Sequence, residues 1–424
     1  MNRRSRGNAS SLRGPSGVAA ALAGAALALA MTACGDRGGS HAEAHETRTP
    51  SAQDAPHYDP PVRFAPNGRP LLPTTTATGP RDVSDVVLAG RLAYFQDGDG
   101  LQAVDVTTGR SSWSARPGAG ATVDGRNIRP ALASLGGRQY IIGLFPGELP
   151  GHGTTPATPV LELLLVDPAT GRTAGDDAMP LPAELAEGFN LHQIVGTDGR
   201  AVVIGLSGSS PDAVVVADPA AHRIRWTRQK ATPVATSDGL VVVIDAVRPS
   251  GFFNIEGTYR LQGIDTATAA VRWSTAPSTA DTYQAERAGP RLVTLSGGFD
   301  ETAGLLDITT GKRRFRYPDQ EKLYDCRDDD RSVVVCFTTG RVMALDATTA
   351  QLLWELPKDG RTSPSVTAAW HGAVYGTTAN GPVVLDARTG RDREASPGAA
   401  PALVGPYGGV VKQDRSLVFQ AAAG

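Results

Sequence analysis

The chain has 424 residues, with 41 Lys and Arg against 43 Asp and Glu, and a formal net charge of −2 at pH 7. That balance excludes the strongly basic face on which nucleic-acid binding depends. Its three cysteines are never adjacent and none stands in a CxxCH arrangement, so there is no haem-attachment segment.

The first element is a leader. Arg3, Arg4, Arg6 and Arg13 form a basic stretch, and no acidic residue precedes Cys34. The apolar run from Val18 to Ala30 follows, too short for a bilayer that needs ~20 residues, so it reads as a signal peptide. Small residues before Cys34 resemble a bacterial lipobox, with Met31 where that motif usually has Leu. The expectation is a signal peptide over 1–33 and a lipidated Cys34 at the mature N-terminus. The alternatives are an ordinary secreted protein with a free Cys, or export by a twin-arginine route through Arg3-Arg4, whose flanks fit poorly. Loss of four leader arginines moves the net charge from −2 to −6. Two acyl chains would hold the protein on the extracytoplasmic face of the cell membrane.

Residues 34–59 are rich in Gly, Pro, Ser, Thr, His and charge, with almost nothing to bury, and read as a flexible tether. His41, Glu43 and His45 within it read as solvated rather than metal-binding. The fold is expected over 60–424.

There a repeat dominates. AVDVTTGRSSW places Ala103, Asp105, Thr108, Gly109 and Trp113 at fixed distances. ALDATTAQLLW, ending at Trp354, repeats it with Ala350 in the Gly position. Copies ending at Trp226 and Trp273 keep the Asp-to-Trp spacing. Three more keep Asp and Thr-Gly but carry Gly175, Phe315 and Glu394 in place of Trp. The seven Asp anchors are Asp105, Asp167, Asp218, Asp265, Asp307, Asp346 and Asp386, separated by 62, 51, 47, 42, 39 and 40 residues. A period of ~40–45 residues is that of one four-stranded propeller blade. Each Asp can accept backbone N–H groups two residues on, and Gly supplies φ > 0 to close the hairpin. The Trp then offers a flat face to the neighbouring blade. The motif is therefore scaffold, and no single copy is a catalytic site. Runs such as LELLLVD, AVVIGL and LVVVIDA are continuous rather than alternating, which implies burial on both faces.

Each repeat reads as strands a to d, with the Asp turn joining c to d. Beyond the seventh set, ALVGPY, GGVVKQD and SLVFQA supply a, b and c without a d. An open sheet edge is avoided in proteins, so the expected fourth strand is the N-terminal PPVRFAP near Val62. The prediction is an all-β, eight-bladed propeller of antiparallel four-stranded blades closed by both chain ends; seven blades with a frayed tail is the alternative.

This pattern resembles the quinoprotein-alcohol-dehydrogenase-like (PQQ-like) propeller repeat, from about residue 83 to the end. With the Cys34 signal, the chain is similar to the repeat-bearing lipoproteins of bacteria. Among these, the outer-membrane assembly scaffold of Gram-negative bacteria has the same architecture and no enzyme activity. The resemblance to quinone enzymes would imply adjacent cysteines, an acidic base and a calcium site, and the residues for these are missing, with only Asn127, Asn190, Asn254 and Asn380 inside the repeats. The expectation is therefore no catalysis, no cofactor and no metal. GLSGS at Gly205 misses the nucleophile elbow at its last position. DGDG at Asp97 and DDDR at Asp328 read as turns, and His152, His192, His222 and His371 fall on different blades.

Cys326 and Cys336 flank a turn. A three- or five-residue loop would set them face to face, and a disulfide suits an extracytoplasmic compartment. The long connections, 145–159 and 247–257, join b to c, and several d–a links are also long. Length therefore gathers on one face, where Phe252 and Phe253 are candidate partner anchors. The expected role is a monomeric, lipid-anchored interaction module binding an envelope protein; a propeller sensing a small molecule or polysaccharide in its central funnel is the alternative.

Overall fold

The computed structural model describes residues 55–71, 82–98, 100–118, 128–187, 189–208, 212–248, 257–280, 284–296, 303–319, 323–414 and 416–424. The chain divides into two compact units, Met1–Thr49 and Pro50–Gly424, and all described residues belong to the second. The leader, Cys34, Phe252 and Phe253 lie outside them.

The described residues form eight antiparallel sheets arranged as an eight-bladed propeller. The first blade shows the pattern: Val86–Ala89, Leu92–Asp97, Gly100–Asp105 and Arg110–Ala115 pair in chain order as strands a to d. Blades 2 to 7 repeat this order, and blade 4 adds Ser278–Ala280 against the outer end of its strand c. Among the described residues, helix is confined to three single 3-10 turns, one of them Ala183–Leu185.

Blade 8 takes Leu403–Gly405, Gly408–Gln413 and Ser416–Ala421 from the C-terminus and its fourth strand from the N-terminus. The ladder lies further along than Val62: Arg69 pairs with Phe419 and Pro70 with Val418. Val62 and Arg63 instead donate their N–H groups to the Gly424 carbonyl, and Phe64 bridges to Ala422. The N-terminal run crosses the sheet edge over two stretches, because Pro66 to Gly68 turn away between them.

The innermost strands of blades 2 to 8 touch in succession, and that of blade 8 touches that of blade 1. The ring's apolar interior separates into eight clusters, one at each blade interface. This arrangement explains the continuous apolar runs. Val202, Val203 and Ile204 on strand b of blade 3 are all fully buried, alternate side chains serving the blade 2 and blade 4 interfaces. No interface is dispensable, since each buries a separate share of the core.

Candidate interaction face and its supports

Six of the seven corners are built alike; the seventh, at Asp218, is a 3-10 turn over Pro219–Ala221 in which Asp218 accepts the Ala221 N–H. Asp265 Oδ1 accepts the N–H groups of Ala267 and Thr268 at 3.0 and 2.8 Å and the Thr268 hydroxyl at 2.9 Å. Asp105, Asp167, Asp307, Asp346 and Asp386 do the same with their own turns. These charge-assisted bonds favour the carboxylate. With the Arg272 guanidinium first among its causes, Asp265 is pulled down to about 2. Four residues past each Asp, the chain is left-handed: Gly109, Gly171, His222, Ala269, Gly311, Ala350 and Gly390 all have φ between 51° and 72°. The lost glycines of the sequence copies therefore leave the backbone unchanged. The c–d pairings of blades 1 to 7 each carry a register shift at the same place, just before the Asp, and such bulges raise the local twist.

The four tryptophans occupy one setting. Trp113, Trp226, Trp273 and Trp354 each donate the indole N–H to the carbonyl that follows the next blade's corner Asp: Pro168, Thr266, Ile308 and Ala387, at 2.7–3.0 Å. Against three of them lies the next corner's glycine. A Cβ added at Gly171, Gly311 or Gly390 would fall within 2.4–2.6 Å of the indole. Glycine is needed there for room as well as for φ.

Cys326 and Cys336 sit directly opposite each other on strands a and b of blade 6, across a five-residue turn, and are joined by a disulfide. The Tyr317 hydroxyl lies against both sulfurs. At the DDDR turn, Asp329 is fully buried; Oδ1 accepts the N–H groups of Arg331, Ser332 and Val333, and Oδ2 that of Gly372 in blade 7.

The described flanks of the long b–c connections continue the ladder. In blade 2, Arg138–Leu149 and Thr158–Val166 stay paired out to Leu149 opposite Thr158, so residues 145–149 and 158–159 of the 145–159 connection are β-ladder. The tip, 150–157, is exposed and closed by a His152–Thr155 bridge. In blade 4, Leu240–Arg248 and Gly257–Asp265 extend similarly, and Ser278–Ala280 buttresses the second. The run of β-compatible residues flanking each Gly- and Pro-rich tip lets the ladder continue past the core. Between these arms, Asp245 binds Arg228 at 2.7 Å and Arg260 at 2.8 Å, which offsets its burial and keeps its pKa low.

The opposite face, that of the a–b and c–d turns, carries the N-terminal segment. Asp59 binds Arg331 and His371, in the a–b turns of blades 6 and 7, and Tyr58 N–H donates to Pro406 in that of blade 8. His371 stacks on Trp370 with centroids 3.9 Å apart, and Tyr375 donates to the Pro61 carbonyl at 2.8 Å. His371 and Asp59 are 312 residues apart, and no local signal in the sequence joins them.

In the central channel, Ser84, Arg129, Gln193 and Pro233 line a hollow of about 350 Å³. Crowding and the nearby Arg327 guanidinium lower the Arg129 pKa, the Asp85 carboxylate opposing them. Among the described residues, no three His, Cys, Asp or Glu side chains gather as a metal site.

A family model described as outer membrane protein assembly factor BamB matches residues 162–392. Among solved structures, BamB from Moraxella catarrhalis is 15% identical over 81% of this chain and 93% of its own, with a TM-score of 0.37. The computationally designed Ika8 protein is 14% identical over 84% and 97%, with a TM-score of 0.43. The Dos1 propeller is 14% identical over 72% and 78%, with a TM-score of 0.42. No curated protein matches.

Proposed function

The chain belongs to the family of outer membrane protein assembly factor BamB, and from that premise we propose that it is a non-catalytic protein-interaction scaffold, lipid-anchored through Cys34 on the extracytoplasmic face of the cell membrane. The observation that carries the reading is the pair of b–c hairpins in blades 2 and 4, extended beyond the core on a single face. Paired strands hold a protruding surface in one shape, so a partner meets a preorganised face and ordering costs stay small. The N-terminal segment leaves from the other face. The family's description, an assembly factor, agrees with a role in holding envelope proteins together.

Photo-crosslinkers at Glu148 and His152, placed in the native membrane and followed by mass spectrometry, test this. The expected result is one recurring envelope protein at both positions; the absence of any partner there, with crosslinks only elsewhere, overturns it. Cys34→Ala should move the protein from the membrane to the soluble fraction. The polar channel around Arg129 and Gln193 favours a second reading, a small ligand held on the axis. Dye-linked oxidation with added quinone should show no activity.

A further inference from the structure

Six of the seven c–d corners are covered by a side chain from the blade before. Trp113, Trp226, Trp273 and Trp354 cover four, and at a fifth Phe315, in the wedge position, packs against the apolar cluster that includes Ala347 and Ala350. At the first corner Arg69, from the closing strand, lies against Gly109 and donates to the Thr107 carbonyl at 2.6 Å. The remaining corner, Asp218 to His222 of blade 3, faces Gly175. Gly175 pairs with Leu165 just as Trp113 pairs with Ala103, Trp273 with Gly263 and Trp354 with Ala344. The position is the wedge position, and it is empty of a side chain.

The gap is real space. A cleft of about 580 Å³ opens between blades 2 and 3, within the ~300–1,000 Å³ of ligand pockets. Leu135, Tyr140 and Leu165 form its apolar side. His222 reaches back to Asp177 but its side chain stays 76% exposed, so it rims the cleft without filling it. Arg138 and Arg200 stand exposed at the edge, whereas Arg225 is neutralised by Asp218. The Pro219 carbonyl corresponds to the four that accept indole N–H groups elsewhere, and has only a long 3.3 Å bond from His222.

We propose that this cleft receives, in trans, what the other corners receive in cis: a Trp side chain from an acidic segment of a partner protein. The slot has the shape left by an indole and the acceptor an indole N–H uses, and the two free guanidinium groups select flanking carboxylates. This goes beyond the hairpin reading, because the cleft lies among the a–b and c–d turns on the other face.

The test uses the full-length protein and ligand-observed NMR with the peptides acetyl-Glu-Trp-Glu-amide, its Leu analogue and its Lys-flanked analogue. The Trp peptide should bind about tenfold or more tightly than either. Gly175→Trp fills the slot in cis; a Cβ there meets nothing nearer than 3.7 Å. This variant should lose peptide binding about tenfold, while Gly175→Ala keeps it. Arg138→Glu with Arg200→Glu should abolish the preference for Glu flanks, and carries the test if Gly175→Trp fails to fold. Equal binding of the Leu peptide, or unchanged binding by Gly175→Trp, overturns the proposal. Crosslinks at the hairpin tip are unaffected by Gly175→Trp, so this proposal and the hairpin reading fail separately.

Discussion

Ring closure rests on one aromatic side chain more than on the ladder beside it. Phe64 is 4% exposed and meets Tyr375 edge-on at 6.0 Å, within the blade 7–8 cluster of Ala368, Val384 and Val404. Phe64→Ala removes that ring from a site whose walls belong to other strands and cannot fully collapse, and such truncations cost about 3–5 kcal/mol. The neighbouring Arg63 makes an ion pair with Glu394 but is 64% exposed; solvent screening holds Arg63→Ala below about 1 kcal/mol. Both variants keep the backbone bonds from 62 and 63 to Gly424, so the comparison isolates the ring. Urea unfolding should show the large loss for Phe64→Ala only, with Tm lower by roughly 4–6 °C. Hydrogen exchange should speed first in Ser416–Ala421, the strand next to the closing one. A loss under about 1 kcal/mol for Phe64→Ala, or equal losses for the two variants, would refute the idea that a buried ring closes the propeller.

Gly311→Ala should destabilise by about 1–3 kcal/mol, from left-handed strain plus collision with Trp273, while Ala269→Gly, at an exposed left-handed alanine, should stabilise by about 0.5–1 kcal/mol; chemical denaturation of both reads the signs. Reduction of Cys326–Cys336, or Cys336→Ser, should cost about 2–3 kcal/mol, since the bridge closes a short loop; identical unfolding with and without reductant counts against it. Burial, with the Asp176 carboxyl adjacent, pushes Glu162 up to about 7. The fold prefers its protonated form, so that preference holds fully below about pH 4.5 and is lost as pH rises through about 7. Glu162→Gln should flatten this decline and exceed the natural protein in Tm at pH 8; parallel pH profiles would contradict it. Asp265 runs the other way: its contribution, complete above pH 3.8, is lost as pH falls through about 2, and Arg272→Ala should move that loss to higher pH in acid titrations.

The corner motif was legible because its physics is local. An Asp, a Thr hydroxyl and a left-handed residue satisfy one another within five positions, and the strand that follows must carry the wedge eight residues past the Asp. Counting these units gives seven blades and the three strands left over at the C-terminus give the eighth, while the Cys326–Cys336 pairing follows from the alternation of a hairpin. Even so, sequence undercounted the motif's tolerance: His222, Ala269 and Ala350 hold the same φ as glycine. The long b–c connection at 145–159 is shorter than its Gly and Pro at 146–151 suggest, because the ladder passes through Pro146 and Gly147.

What fills each slot was decided by tertiary structure alone. Arg69 standing in for a wedge on Gly109, Phe64 under Tyr375, Asp59 gripping Arg331 across 272 positions and the opening beside Gly175 all join residues brought together only when the ring shuts. Sequence by itself determined the repeating unit, since that unit is stabilised by neighbours in the chain. The contents of the interfaces depend on which blades a closed circle makes adjacent, and no stretch of sequence contains that adjacency.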